Sequence, residues 1–257
     1  MGKVNDELCE DGLVMTPGYI AVIDGSTSKT SFRHFSEVTN GKMAMQLVQK
    51  YIRREAKNAM SVDEFCQGLT QYFSRMYRAA GTFAWVQKCP QDRLTASVAV
   101  YSAERNEVWL IGDCQAIVDG TYYENAKPFE LSIAQKRASL IKDGHSPSEA
   151  RYLIEPELVR TMLNGQNKAY AVIDGFKVYM EGVKVIPVRH SVVLATDGYP
   201  FLKSTLSDSE DALAEQLEND PQNINSFYAT KGLIKGNKSF DDRAYIRFAV
   251  GRISDGD

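Results

Sequence analysis

The stretch YIAVIDGSTSKT at residues 19–30 decides how this chain is read, because it begins as a strand and does not turn back as one. Residues 19–23 are aromatic and β-branched, the composition of a buried strand. Asp24 and Gly25 would then make a turn, yet Ser26, Thr27 and Ser28 follow where a return strand would start. The pentapeptide AVIDG recurs at 171–175, flanked there by KAY and FKVYM. Asp-Gly pairs also occur at Asp11, Asp119, Asp143, Asp197 and Asp255. Asp tolerates the left-handed region and Gly supplies positive φ, so a turn is the default reading. Short β runs on both sides of Asp119 and Asp174 predict hairpin loops there. Asp143 ends a helix and Asp255 lies in the tail. Asp24 and Asp197 instead each end a buried-type strand, where an unpartnered carboxylate is costly.

Strands are predicted at 12–24, followed by a helix over 42–59 with Met43, Leu47, Val48 and Ile52 on one face. A second helix starts at Ser61 with the capping box Ser-Val-Asp-Glu and continues through Phe65, Leu69, Phe73 and Met76. Strands follow at 95–101, 107–111 and 116–119, then helices at 131–142 and 148–164. Strand pattern returns over 169–187 and 191–196, a helix opens at Ser207, and 243–250 alternates as a terminal strand. Helices arriving in pairs between groups of strands disfavour a doubly wound parallel sheet. They predict an α+β fold with mostly antiparallel sheet. No linker-like segment interrupts the chain, so residues 1–257 read as one domain.

The 257 residues are 44% hydrophobic and 25% charged, with a net charge of −3, ordinary values for a globular chain. The acidic balance argues against a nucleic-acid binder, and no run approaches the roughly 18 apolar residues of a membrane span. The polar start MGKVNDELCEDG lacks a signal-peptide pattern, and Asp6 stands where a myristoylation signal needs Ser or Thr. Cys9, Cys66, Cys89 and Cys114 are scattered, which predicts reduced thiols in the cytoplasm and no zinc site.

Some motifs fail on spacing. GLIKGNKS at 232–239 has its second glycine one position early for a phosphate-binding loop and leads into a strand. DGSTSKTSF after Ile23 lacks the glycine position and final Glu of a calcium loop. His34, His145 and His190 are isolated and read as packing or surface residues. No nucleophile elbow is present.

The acids form a more coherent set. Glu10 and Asp11 precede the first strand, Asp24 and Asp197 end strands, and Asp241 and Asp242 precede the last. Hard divalent cations take oxygen donors of this kind. In chain order, Cys9-Glu10-Asp11, the AVIDG of 21–25, Leu94-Thr95-Ala96-Ser97, Leu110-Ile111-Gly112-Asp113-Cys114, Leu194-Ala195-Thr196-Asp197-Gly198 and Ser239-Phe240-Asp241-Asp242 resemble the motifs of the type 2C (PPM-type) metal-dependent Ser/Thr protein phosphatases. These motifs span residues 9–242.

The resemblance implies a four-layer α/β/β/α sandwich, two mostly antiparallel sheets flanked by helix pairs. It implies two Mg²⁺ or Mn²⁺ ions, with Asp24 bridging them and the Gly25 carbonyl on one. Asp197 and Asp241 would hold the other ion, Glu10 would act through a water, and Asp113 would serve a weaker third position. Asp24, Asp197 and Asp241 are then the catalytic residues of in-line hydrolysis by a metal-activated water, without a covalent intermediate. The substrate class implied is phosphoserine or phosphothreonine in a protein or peptide. Two positions depart from the family pattern: Ser26 stands in place of its general-acid His, and Asp6 in place of its phosphate-binding Arg. Lys3 and Lys29 are the candidate substitutes for that cation. These departures keep two alternatives in view, a catalytically weak or inactive regulatory module and a small-metabolite phosphatase.

Overall fold

The structure, a computed structural model, describes residues 1–251; the Asp-Gly pair at 255 lies outside them. The chain opens with β1 (Asp11–Met15) and β2 (Tyr19–Gly25), followed by α1 (Asn40–Arg54), α2 (Val62–Ala79) and the short α3 (Phe83–Lys88). Next come β3 (Ala96–Ser102), β4 (Glu107–Ile111), β5 (Gln115–Val118) and β6 (Thr121–Tyr123). The helices α4 (Glu130–Lys142) and α5 (Pro147–Gly165) lead to β7 (Val183–Pro187), β8 (Ser191–Ala195), α6 (Leu206–Asn219) and β9 (Tyr245–Ala249). A five-stranded sheet runs β1-β2-β3-β4-β7 and a four-stranded sheet runs β6-β5-β8-β9. All neighbouring strands are antiparallel.

Strand alternation sorts the apolar residues into three layers. Ala21 and Ile23 of β2 pack with Leu47, Val48, Phe65, Leu69 and Phe73 of α1 and α2. Val22 joins Ala99, Leu110, Ala116, Val192 and Leu194 between the sheets. Beyond the second sheet, Ile117, Val193 and Ala195 meet Tyr199, Leu213 and Phe240 beside α6. Burial on both faces explains why β2 and β8 read as continuous apolar runs. The result is the antiparallel two-sheet α+β architecture that the element order predicts.

Local signals set several boundaries. Ser61 and Ser146 both form capping boxes, with Glu64 and Glu149, and start α2 and α5. The helix expected over 42–59 runs instead from Asn40 to Arg54, capped by the Thr39 side chain. Its predicted last turn leaves the helix, and the Lys57 carbonyl accepts a hydrogen bond from Tyr19 Oη at 2.6 Å. The hairpin at Asp119 forms, with Asp119 at φ 50° and Gly120 at φ 83°.

The hairpin expected at Asp174 does not form, and of the predicted strand over 169–187 only β7 pairs as a strand. Residues 171–173 are buried and make a single bridge, Ile173 to Ala96. Asp174 is fully buried and accepts from Arg93 Nη1 at 2.9 Å, Gln166 Nε2 at 2.7 Å, Asn167 Nδ2 at 3.0 Å and Phe176 N at 2.9 Å. That network fixes the segment as an irregular anchor. The alternation of AYAVI marked its burial and not its backbone.

Candidate active site

Antiparallel connectivity alternates strand starts and strand ends along one edge, and this is what gathers the acids. Asp11 opens β1 and lies opposite Asp24 near the end of β2. Asp24 in turn lies opposite Ser97 of β3. Asp113 follows β4 and precedes β5, whose Gln115 lies opposite Ala195 of β8, two residues before Asp197. Ala195 also lies opposite Tyr245, which places the approach to β9, and with it Asp241 and Asp242, at this same edge. The first hairpin can approach α1 because both chains carry glycine there. A Cβ on Gly25 would collide with the Gly41 carbonyl, and one on Gly41 with Gly25 and the Glu10 carboxylate.

The carboxylates divide into two electrostatic groups. Burial, and then the charges of Asp197, Asp11 and Asp113, push the Asp24 carboxyl well above its ordinary range. Burial together with Asp197 and Asp242 raises Asp11 to about 7, against a hydrogen bond from Thr196. Asp197 is open to solvent but ringed by protein, and burial, with Asp113 adding to it, raises its carboxyl as well. Like charges this close resist joint ionisation. Asp113 belongs to the other group. Burial opposes its charge, but the Lys127 ammonium and the hydrogen bonds from Lys127 and Ser97 outweigh it and hold the carboxyl down at about 2.

Asp241 is likewise paired. Lys3 Nζ donates to its Oδ1 at 2.8 Å, and Lys231 forms an ion pair with its Oδ2. Asp242 accepts the Lys3 backbone N–H at 2.7 Å and that of Glu10 at 3.1 Å, fastening the N-terminal segment to the chain before β9. Glu10 turns away from the other acids, since neighbouring residues point to opposite sides. Its carboxylate accepts from Thr27 Oγ1 and Thr39 Oγ1, both at 2.5 Å, linking the 26–29 loop to the cap of α1. The Gly25 N–H donates to the Glu10 carbonyl at 3.1 Å.

As placed, no three His, Cys, Asp or Glu side chains among the described residues converge as a metal-binding group. Lysine ammonium groups sit among the carboxylates. The donors at Asp11, Asp24 and Asp197 nevertheless suit a hard divalent cation, being all oxygen and mutually repelling. Asp11 Oδ2 is buried without a hydrogen-bond partner, an oxygen that a cation would satisfy.

Of these three, Asp197 borders a cleft of about 320 Å³ that is also lined by Asp113, Lys127, Lys231 and Asp241, with Tyr122 and Phe227 on its walls. Ser26 is half-buried and its N–H donates to the Thr95 carbonyl. His34 does not reach the cleft. Its Nε2 lies 2.8 Å from the Asp92 carbonyl and its Nδ1 3.1 Å from Thr82 Oγ1, with the ring packed near Phe32 and Tyr77. Lys3 is committed to Asp241 and Asp242, and Lys29 lines a separate cavity.

Lys127 and Lys231 are members of this site that no motif contained, and Asp11 stood in the Cys9-Glu10-Asp11 motif without a role of its own. Asp11 was detectable, because a hairpin turning at Pro17 and Gly18 sets it opposite Asp24. Both lysines come from irregular segments and carried no local signal.

No protein-family model matches the chain, and no curated protein sequence matches it. Among solved structures, it is similar to the catalytic domain of the serine/threonine protein phosphatase PstP, solved in complex with two manganese ions. The match has 13% identity and a TM-score of 0.51, and covers 98% of this chain and 96% of that one. Stp1, a serine/threonine phosphatase from Staphylococcus aureus, also aligns, at 12% identity and a TM-score of 0.48 over 98% of this chain and 92% of that one. At such identity the likeness to PstP speaks for the fold alone. The chain has the fold of the bacterial type 2C serine/threonine phosphatase catalytic domains.

Proposed function

We propose that the protein is a divalent-metal-dependent phosphatase acting on phosphoserine or phosphothreonine in protein or peptide substrates. The observation that carries this reading is that Asp11, Asp24 and Asp197 lie at one edge of the two sheets, near enough for the Asp197 charge to raise the other two carboxyls, with a buried, unpartnered Asp11 oxygen there. Asp11, Asp24 and Asp197 would hold Mg²⁺ or Mn²⁺, with the Gly25 carbonyl as a neighbouring donor. Asp241 and Asp113 would join them where their lysines move aside. Ions bound there lower the pKa of a water nucleophile and offset phosphate charge.

The chain's own groups do the rest. Lys127 and Lys231 line the cleft and present cations to an incoming phosphate. Tyr122 and Phe227 wall it and limit the water around the ester. Ser26, where the family pattern has its general acid, lines the neighbouring cavity instead of the cleft and has no proton of suitable acidity at neutral pH, so the leaving oxygen would draw its proton from water. No helix among the described residues is long and apolar enough to cross a membrane. The four free cysteines suit a reducing compartment such as the cytoplasm.

A second reading, a phosphatase-like regulatory module of low activity, is favoured by the ion pairs of Lys3 and Lys231 with Asp241 and of Lys127 with Asp113. Calorimetric titration with Mn²⁺, followed by phosphate release from phosphopeptides set against small phosphorylated metabolites, separates the readings. Metal binding with peptide turnover supports the phosphatase. Absence of metal binding leaves the module, and turnover of metabolites alone moves the substrate class.

A further inference from the structure

Next to the acidic cleft lies a second cavity of about 140 Å³ with the opposite character. Its walls carry the cations Lys29, Arg93, Lys127 and Arg151 against a single carboxylate, Glu130. Ser26, Thr27 and Ser28 from the loop after β2 add hydroxyl donors along one rim. Lys127, Glu130 and Thr230 line both cavities, so they form the partition between this one and the cleft.

The cations are not equally committed. Arg93 serves Asp174, and Lys127 serves Asp113. Arg151 is held in place by Glu155 at 3.1 Å through Nε and by the Thr230 carbonyl at 2.9 Å through Nη1, which leaves Nη2 without a partner among the described residues. Lys29 pairs with no carboxylate among them. Lys29 is open to solvent at the cavity rim but ringed by protein, and this surrounding and the nearby charges of Arg151, Lys231 and Lys127 push its ammonium down to about 8. A cation held against other cations is stabilised when an anion arrives. Hydroxyl donors, a fixed guanidinium and an unpaired ammonium around a small cavity form an anion receptor.

We propose that this cavity is a second anion subsite, which takes a phosphate group of the same substrate whose first phosphate occupies the acidic cleft. The inference rests on the phosphatase reading for the word substrate, but its anion-binding core does not need it. The preferred substrates are then peptides carrying two phosphorylated residues close together, one reacting and one held on Lys29 and Arg151. The partition through Lys127 keeps the second phosphate out of reach of the metal ligands, so it positions and does not react.

The test has two arms. In the first, inorganic phosphate is titrated into the full chain in the presence of a chelator and followed by phosphorus NMR. The expected result is binding that weakens by about tenfold or more in the Lys29→Gln, Arg151→Gln double variant, the scale of losing a charged hydrogen bond. Binding should persist in Lys29→Arg and in Asp197→Asn, and thermal melts of each variant establish that it is folded. No phosphate binding in the wild type, or equal binding in the folded double variant, overturns the subsite.

In the second arm, kcat/KM with Mn²⁺ is compared for a doubly and a singly phosphorylated peptide of the same sequence. A preference for the doubly phosphorylated peptide that disappears in Lys29→Gln supports the proposal, and an equal rate for both peptides in the wild type overturns it. If neither peptide is hydrolysed while the first arm succeeds, the phosphatase reading fails and the anion site stands.

Discussion

Asp11 and Asp24 lie directly opposite one another in the β1–β2 ladder, two carboxylates facing across a single pair of strands at the mouth of the sandwich. Glu10, one residue earlier, is turned to the other side and spent on Thr27 and Thr39. In the paired motif Glu10-Asp11 it is therefore the second acid that stands opposite Asp24 and that, on the proposed function, would join it as a donor. Asp11→Asn is expected to weaken Mn²⁺ binding by about 100-fold or more, since loss of even an outer partner of a metal ligand costs 10–100-fold. Glu10→Gln should weaken it far less and should instead lower the melting temperature. Calorimetry and a thermal scan on the two variants check this.

The two copies of AVIDG predict opposite consequences for the same substitution. Asp174 is buried and fully engaged by Arg93, Gln166, Asn167 and the Phe176 N–H. Removing one partner of a buried ion pair costs about 3–5 kcal/mol. Asp174→Asn should therefore sharply destabilise the protein to urea. Asp24 sits among like charges, so Asp24→Asn should leave the metal-free protein as stable as the wild type or more so. Equal losses of stability in the two variants would contradict the electrostatic division between them.

Much of this architecture was legible because burial on two faces writes itself as apolar runs, and the runs at 19–23 and 192–195 became central strands. The capping box at Ser61 fixed a helix start to the residue. The acids could be gathered from sequence because antiparallel order returns alternate strand ends to one edge. Asp174 was misread, since buried irregular chain and paired strand both alternate, and only the long-range partner Arg93 distinguishes them. Lys127 and Lys231 were invisible for a related reason. Each arrives from a segment with no periodicity, and its role follows from tertiary approach to Asp113 and Asp241.

Those lysines make a direct prediction about affinity. Lys231 pairs with one oxygen of Asp241 and Lys3 with the other, so neither oxygen is available while both ammonium groups stay. Replacing Lys231 by Met removes a positive charge beside the donor set. A unit charge at about 4 Å in a water-like medium is worth about 1 kcal/mol, so Mn²⁺ binding should tighten by about fivefold or more. Unchanged or weaker binding in a folded Lys231→Met variant would mean that Asp241 takes no part in holding a cation.

The loop that delivers Lys231 is organised by Asp220, which gives it a pH signature. Its buried carboxylate accepts from the backbone N–H groups of Ile224, Asn225 and Ser226 at 3.0, 2.8 and 3.1 Å. Burial opposes its charge, but these hydrogen bonds outweigh that and hold the carboxyl below its ordinary value. A depressed carboxyl binds fewer protons folded than unfolded, so its stabilisation is present above pH ~4 and is lost as pH falls further. The difference in melting temperature between wild type and Asp220→Asn should thus be widest near neutrality and shrink below pH ~4.

Asp197 provides the decisive test of the catalytic reading, because it is the member of the central trio that lines the cleft. It stands two residues beyond β8, in a segment fixed by the Ala244 N–H to Thr196 Oγ1 hydrogen bond at 2.9 Å and by the close approach of Gly198 to the Asp242 carbonyl. Asparagine fills nearly the same space and removes only the charge. Asp197→Asn should keep the wild-type circular dichroism and, without divalent ions, a melting temperature at least as high, because one member of a repelling cluster is gone. Mn²⁺-dependent phosphate release from a phosphopeptide should fall by about 100-fold or more, since on the proposed function the lost carboxylate would be a direct donor whose charge offsets the cation. A folded Asp197→Asn protein that releases phosphate at the wild-type rate would show that hydrolysis does not run through this edge of the sandwich.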